Sequence, residues 1–359
     1  MPTGLPIEDN LDLVLATLDE DPKHKYEETM ALPEYALYRM FFQDAKESSS
    51  GGKSHRQRVR LRMSNTFQFV RPYQITANNK VNVMETAQVY WRMTEFKRMY
   101  DVREDDFNGG PEEIIDNVEV MESAMWEDGI DGLDAALCRC PENSTDDLSF
   151  NGLPYCLSAV DSGTEDPDGG FNGQTVVYAD GTTGTTIFGI DASLAANTRW
   201  RNFCGTYRRF DIGFIRLLRA AITRTNFRML PQLKGKSFKS DGSWKLLMGQ
   251  ATADSAEELM GANDPSGNDP AKVTTKTGTL RGLTCERVPR FDTEGMEDDV
   301  IGVYTKHIFG MQLRKQFLKR STWKSADNPN IVFDQIDSTL QMFMNNRRHG
   351  GFRLTKYEP

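Results

Sequence analysis

No stretch of this 359-residue chain approaches the roughly 18 consecutive apolar residues of a membrane-spanning helix. The start, MPTGLPIEDNLDLV, has neither a basic n-region nor an apolar core, so no secretory signal is expected and the protein should fold and act in a cytoplasm. Cysteine is scarce: Cys138, Cys140, Cys156, Cys204 and Cys285 form neither an even set nor a CxxC pair, which fits reduced thiols better than a disulfide frame. Histidine is scarcer still, with His24, His55, His307 and His349 scattered and no GxSxG elbow or HExxH helix. Gly235-Lys236-Ser237 and Gly52-Lys53-Ser54 end like phosphate loops, but the first glycine such a loop requires would fall at Leu230 and Glu47. The acidic run DSGTEDPDGGFNG, 161 to 173, has Asn172 and Val177 where a calcium loop needs its bidentate glutamate, and reads as a solvated loop. Cys138 and Cys140 have no second Cys or His pair nearby in sequence to complete a tetrahedral metal set. No catalytic residue, cofactor or metal is therefore expected, and an enzyme is not the favoured reading.

What the chain has is charge segregated by sign. Its net charge of −9 argues against a generic nucleic-acid coat. Yet between Lys46 and Arg62 there are six Lys or Arg against the single acid Glu47. Glu112 to Asp134 carries nine acids and no basic residue, and Glu142 to Asp191 carries nine more, again with none. Arg199 then opens an Arg-rich stretch that runs to Arg228. Basic segments of such a protein can be satisfied by its own acidic ones, within a chain or between copies.

The sharpest pattern is HRQRVRLRM, 55 to 63, with Arg56, Arg58, Arg60 and Arg62 at alternate positions. In a strand these four guanidinium groups form one ladder, while Gln57, Val59, Leu61 and Met63 line the other face. Mutual repulsion over so short a span calls for a counter-charge. Nucleic-acid binding would bring stacking aromatics among the basic residues and a basic domain, whereas Phe67, Phe69 and Tyr73 lie beyond the ladder and the chain is acidic. Protein carboxylates are the favoured partner, with Val59, Leu61 and Met63 packing on protein.

The rest reads as α+β. Residues 1 to 45 form an arm with one or two short helices, and SSSGGKS, 48 to 54, a flexible hinge. The runs 55 to 63 and 80 to 93 suggest a long two-stranded excursion that needs something to lie on. A long helix begins near Asn108 and Pro111, with Ile114, Ile115, Val118, Met121, Met125, Leu133, Ala136 and Leu137 as its apolar stripe and a bend or break anticipated at Gly129 and Gly132. NGLPYCLSA and GQTVVYA suggest strands, and 211 to 227 a helix with Ile212, Ile215, Leu218 and Ile222 on one face. WKLLMGQ, TLRGLTCERV and VIGVYTKHIFGMQL suggest strands, ADSAEELMG a helix, and the tail two strands around an RRHGG turn.

This order of features resembles the major capsid proteins of tailed double-stranded-DNA bacteriophages, the Hong Kong 97 (HK97-like) fold. The matching pieces are Gly51-Gly52-Lys53, the hairpin 54 to 93, FKRMYDV, Pro111 to Cys138, Asn151-Gly152-Leu153-Pro154-Tyr155, Gly169-Gly170 and Thr198-Arg199-Trp200-Arg201-Asn202. The resemblance implies an N-terminal arm (1–50), an extended loop (51–93), and a peripheral domain (94–207) with its spine helix at 111–138. An axial domain (208–325) and C-terminal strands (326–359) returning to the peripheral domain follow. It implies a structural protein that self-assembles as hexamers and pentamers into an icosahedral shell, made in the host cytoplasm and enclosing phage DNA without sequence-specific binding. A separate scaffolding protein, a portal and decoration proteins are the implied partners, with no membrane. In this fold the extended loop lies across the adjacent subunit's spine helix, so Arg56, Arg58, Arg60 and Arg62 are expected to meet Glu112, Glu119, Glu122 or Glu127 of a neighbour. Isopeptide cross-links through Lys53 or Lys80, known in some members, find no defined acid neighbour in the sequence. The competing reading is a nucleic-acid-binding protein using the Arg-rich segments 56–62 and 199–228.

Overall fold

The computed structural model describes residues 35–44, 46–63, 69–72, 82–101, 103, 117–161, 163–225, 244–262, 279–280, 283–324 and 327–357. The arm before residue 35, the hairpin segments 64–68 and 73–81, and the first part of the expected long helix, Glu112 included, lie outside them. The helices are α1 (Ala36–Tyr38), running into a π-helical turn (Arg39–Asp44), α2 (Asn117–Cys138), α3 (Leu153–Cys156), α4 (Ile212–Thr225), α5 (Gln250–Ala262), α6 (Arg290–Thr293) and α7 (Arg347–Gly350). The strands are β1 (Lys46–Ser49), β2 (Ser54–Arg60), β3 (Met84–Tyr90), β4 (Arg92–Asp101), β5 (Gly170–Gly173), β6 (Val176–Val177), β7 (Thr183–Gly184), β8 (Thr186–Ile187) and β9 (Ile190–Asp191). They continue with β10 (Asn202–Tyr207), β11 (Trp244–Met248), β12 (Thr279–Leu280), β13 (Leu283–Arg287), β14 (Val300–Tyr304), β15 (Ile308–Leu313), β16 (Lys319–Lys324), β17 (Ile331–Met344) and β18 (Gly351–Lys356).

Two compact units share the chain. The first takes the described residues of Met93–Leu133 and Lys315–Thr339, the second those of Glu34–Arg92, Asp134–Arg314 and Leu340–Pro359. In the first, β16 runs antiparallel to β17 from Lys319 opposite Asp337 to Lys324 opposite Val332, and β4 also pairs with β17. Helix α2 lies against β4 through Gly129, where an added Cβ would come 2.5 Å from the Phe96 ring. That close approach explains a glycine in mid-helix, and α2 runs unbroken through Gly129 and Gly132, where the sequence suggested a bend or break. Of the expected stripe, Met125, Leu133 and Leu137 are buried, while Met121 is 39% exposed.

The second unit is built on a seven-stranded sheet ordered β12-β13-β11-β14-β18-β10-β5. Phe203, Leu246, Val300, Phe352 and Leu354 from its strands and Phe214, Leu217, Leu218 and Ala221 from α4 form one buried core. The face of α4 that packs is therefore centred on Phe214 and Leu218, with Ile212 left 64% exposed, because the Phe214 ring closes on Tyr207 and Phe210 at 5.2 and 4.4 Å. NGLPY forms the helical turn α3 instead of a strand, with Pro154 in its first turn. Gly152 precedes it because a Cβ there would sit 2.2 Å from the Arg139 carbonyl oxygen.

The two tail strands flank α7 as expected but are not hairpin partners. The second-unit part of β17 pairs with β15, whereas β18 lies between β14 and β10. The C-terminal strand β18 thus pairs on one side with β10, from the segment before residue 208, and on the other with β14, from the segment after it. Ser48 and Ser49 also leave the expected hinge: they belong to β1, parallel to β15 with Ser49 opposite Leu313. What remains between β1 and β2 is Gly51-Gly52, with Gly52 at φ 107°, a conformation side chains disfavour.

Candidate functional site

Strands β2 and β3 form an antiparallel ribbon with Arg56 opposite Gln88, Arg58 opposite Thr86 and Arg60 opposite Met84. Opposed residues in an antiparallel pair share a face. The three arginines are exposed on one side together with Met84 and Tyr90, which are 48% and 58% exposed. On the other side Ala87, Val89 and Leu61 are buried and the His55 ring meets Phe343 edge-on at 4.9 Å, while at the free edge of β3 Gln88 N donates to Phe188 O at 2.8 Å. The ribbon root thus lies on its own chain and turns its arginine face outward.

The fourth rung departs from the ladder. Leu61 N and Arg62 N both donate to Val83 O, at 3.1 and 3.3 Å, so two residues oppose one. Such a bulge breaks the alternation and re-aims the side chains beyond it. Arg62 turns to the packed side, where its Nη2 donates to Glu85 Oε1 at 2.8 Å and Asn197 Oδ1 at 3.3 Å. Met63, expected to pack on protein, is 58% exposed for the same reason. Arg56, Arg58 and Arg60 make no ion pair with a described residue.

The expected acidic side is divided. Glu119 belongs to α2, although its side chain is outside the described part. Glu122 is engaged in its own unit, accepting Arg320 Nη1 at 2.6 Å and Arg98 Nη2 at 3.3 Å. Both arginines continue to Asp334, 1% exposed on β17, through Arg320 Nη2 at 2.6 Å and Arg98 Nε at 3.2 Å. Burial opposes ionisation of Asp334, but hydrogen bonds from Arg320 and Thr322 and the charges of Arg320 and Arg98 outweigh it and hold its pKa below the ordinary value. The network stitches α2 to β4, β16 and β17. Glu127, half-buried, and Asp128, exposed, make no ion pair with a described residue.

Sequence reasoning missed Arg347, in the RRHGG turn and fully buried. Its Nε donates to Cys156 O at 2.9 Å, Nη1 to Gly173 O at 3.2 Å and Trp200 O at 2.9 Å, and Nη2 to Ser158 Oγ at 2.9 Å and Asn202 Oδ1 at 2.7 Å. All five guanidinium N–H groups meet neutral oxygens. Burial pulls its pKa down to about 10, so it remains a cation at neutral pH. This one side chain ties the end of α3, the end of β5 and the Trp200–Asn202 part of the Thr198–Asn202 patch together. Burial likewise pushes the Cys140 and Cys204 thiols up to about 12, which makes them poor nucleophiles. Among the described residues no group of His, Cys, Asp and Glu is arranged to hold a metal ion, and no helix is long and apolar enough to cross a membrane.

No protein-family model matches the chain, and no curated protein matches its sequence. Solved structures do. The capsid of Cyanophage A-1(L) superposes with a TM-score of 0.66 at 12% identity, over 96% of this chain and 98% of that one. The capsid of a native GTA particle gives 0.58 at 8% identity over 95% and 96%, and that of Cyanophage P-SCSP1u gives 0.53 at 12% over 99% and 96%. With nearly complete coverage in both directions, and the spine helix, hairpin and mixed α+β layout in place, the chain has the HK97-like capsid fold.

Proposed function

We propose that this protein is a structural, non-enzymatic shell protein of a tailed phage, assembling as hexamers and pentamers into the icosahedral capsid that encloses double-stranded DNA. The fold is that of capsid shells, and the observation that carries assembly is the outward face of Arg56, Arg58 and Arg60, which has no counter-charge among the described residues of its own chain. The β2–β3 ribbon is the extended loop, and the face meets acids of a neighbouring copy's α2. Glu127 and Asp128 suit that role better than Glu122, whose carboxylate already holds Arg98 and Arg320. Glu112 and Glu119 remain partners in the same proposal. Peripheral and axial domains, a separate scaffolding protein, a portal, decoration proteins and assembly in the host cytoplasm complete the reading.

Exposed ion pairs contribute about 0 to 1 kcal/mol each, so the clasp acts by setting register and by repetition over every copy. Reversing Arg56, Arg58 and Arg60 to glutamate should abolish shells or capsomers in electron micrographs of concentrated protein. Unchanged assembly yield and salt sensitivity in that variant would sink the clasp.

A further inference from the structure

A second cationic surface lies around the end of helix α4, in the second unit. Helix α4 carries Arg216, Arg219 and Arg224 and no acid. All three are exposed. Its last turn meets α7, where His349 Nδ1 lies 2.9 Å from Thr225 O. Beside His349, the Arg348 guanidinium sits 3.7 Å over the Phe171 ring, and Phe171 packs edge-on against Phe203 at 5.7 Å. The Arg224 guanidinium lies 5.8 Å from the Phe203 ring, and its Nη1 donates to Gly169 O at 2.9 Å. Arg199, exposed, acts on both Arg348 and His349, so like charges converge here. Among the described residues no carboxylate pairs with Arg199, Arg216, Arg219, Arg224 or Arg348. Asp166, in the loop before β5, uses its carboxylate on Gly169 N at 3.0 Å and Asn172 Nδ2 at 2.8 Å.

We propose that Arg199, Arg224 and Arg348, extended along α4 by Arg216 and Arg219, form a contact for the phosphate backbone of double-stranded nucleic acid. This rests on the shell reading, in which the chain encloses DNA. Arg348 and Arg224 are held against the Phe171–Phe203 pair, which leaves guanidinium edges free for oxyanions. Those rings are covered by the guanidinium groups, so bases cannot stack on them and the contact carries no sequence information. From Arg216 to Arg224 the helix advances about 12 Å, a span over which a duplex presents several phosphates. Arg216 and Arg224 lie about 80° apart around the helix, with Arg219 on the far flank of Arg216, so a polyanion that runs past the helix end reaches Arg199, Arg224 and Arg348 first and the other two along its length. An acidic protein surface would have to bring several carboxylates into the same line.

The test is binding of a short random-sequence duplex to the full-length unassembled chain, followed by fluorescence anisotropy across a salt series. The variant Arg199→Ala/Arg224→Ala/Arg348→Ala should weaken binding uniformly across sequences and lower the slope of log K against log salt by about 0.9 for each phosphate it no longer neutralises. Arg216→Gln/Arg219→Gln, which removes solvent-exposed heads only, should lower it by up to about twice that unit without touching the aromatic pair. An unchanged slope in both variants overturns the proposal. So does a polyglutamate peptide that binds as tightly as the duplex and is released by the same variants, because the partner would then be an acidic protein surface. Micrographs of the same variants separate this from the shell reading: patch variants should still assemble, and failure of the wild-type chain to assemble would count against the shell while leaving the duplex result standing.

Discussion

Replacing Arg347 should damage the protein more than any exposed arginine, and the structure sets the size. Five buried or half-buried oxygens, on Cys156, Gly173, Trp200, Ser158 and Asn202, take its five donors. A lysine offers three donors, so two acceptors lose their partner. Each orphaned buried group costs about 1 to 3 kcal/mol. Asn202 Oδ1 also accepts from Ser158 N at 3.2 Å, which softens one of these losses. Arg347→Lys should therefore cost about 2 to 4 kcal/mol. Arg347→Met loses all five bonds but also removes a buried charge whose desolvation costs several kcal/mol, so its penalty should lie close to that of lysine. Denaturant unfolding followed by circular dichroism measures both, and the fluorescence of fully buried Trp200, whose carbonyl is one of the acceptors, reports the site. The difference should be flat across neutral pH, because the guanidinium stays protonated with a pKa of about 10. A methionine variant as stable as the parent would refute the reasoning, since it would make the five bonds worth no more than the charge costs to bury.

Two further changes probe the first unit. Asp334→Asn leaves Arg98, 8% exposed, without its buried partner and should cost about 3 to 5 kcal/mol in thermal or denaturant unfolding. The folded-state pKa of Asp334 lies below its ordinary value, so its contribution is present above the unfolded pKa and lost as pH falls below it; the variant's acid titration should be flatter there. Gly129→Ala should destabilise by about 1 to 3 kcal/mol against the Phe96 ring, whereas Gly132→Ala, with nothing within 4 Å of its Cβ, should stabilise by up to about 1 kcal/mol. Equal melting temperatures for these two glycine variants would remove the helix-to-strand contact as the reason for Gly129.

The fold was legible where periodicity and order agreed. Alternating Arg56, Arg58 and Arg60 marked β2, and WKLLM and VIGVY marked strands of the central sheet. Failures followed from forces that a linear pattern does not carry. Arg62 left the ladder because two amides share the Val83 carbonyl, a register event between segments over twenty residues apart. The packing face of α4 was decided by the ring of Phe214 meeting Tyr207 and Phe210, since its sequence offers two overlapping apolar stripes. Arg347 and Arg348 are adjacent and identical in type, yet one is fully buried and the other half-buried on Phe171; only the acceptors gathered from distant loops distinguish them. On the site, the exposed arginine face was legible, whereas the capture of Glu122 by Arg98 and Arg320 was not, because both come from strands remote in sequence.

Gly51 and Gly52 lie at the base of the ribbon. The outgoing leg joins β1 to β2 through these glycines, and Trp91 Nε1 donates to Gly52 O at 2.9 Å, linking the two legs at their base. The returning leg is a fixed post, with Arg92 donating to Ser149 O at 2.9 Å and to Asp146 O at 2.7 Å. The glycines lie in one leg only, and the other leg is held with Ala87 and Val89 buried and Gln88 N on Phe188 O, so the fold sets both the direction of the ribbon root and the spacing of Arg56, Arg58 and Arg60. In a shell assembled as proposed, every copy thus holds out the same row of charges from the same anchored root.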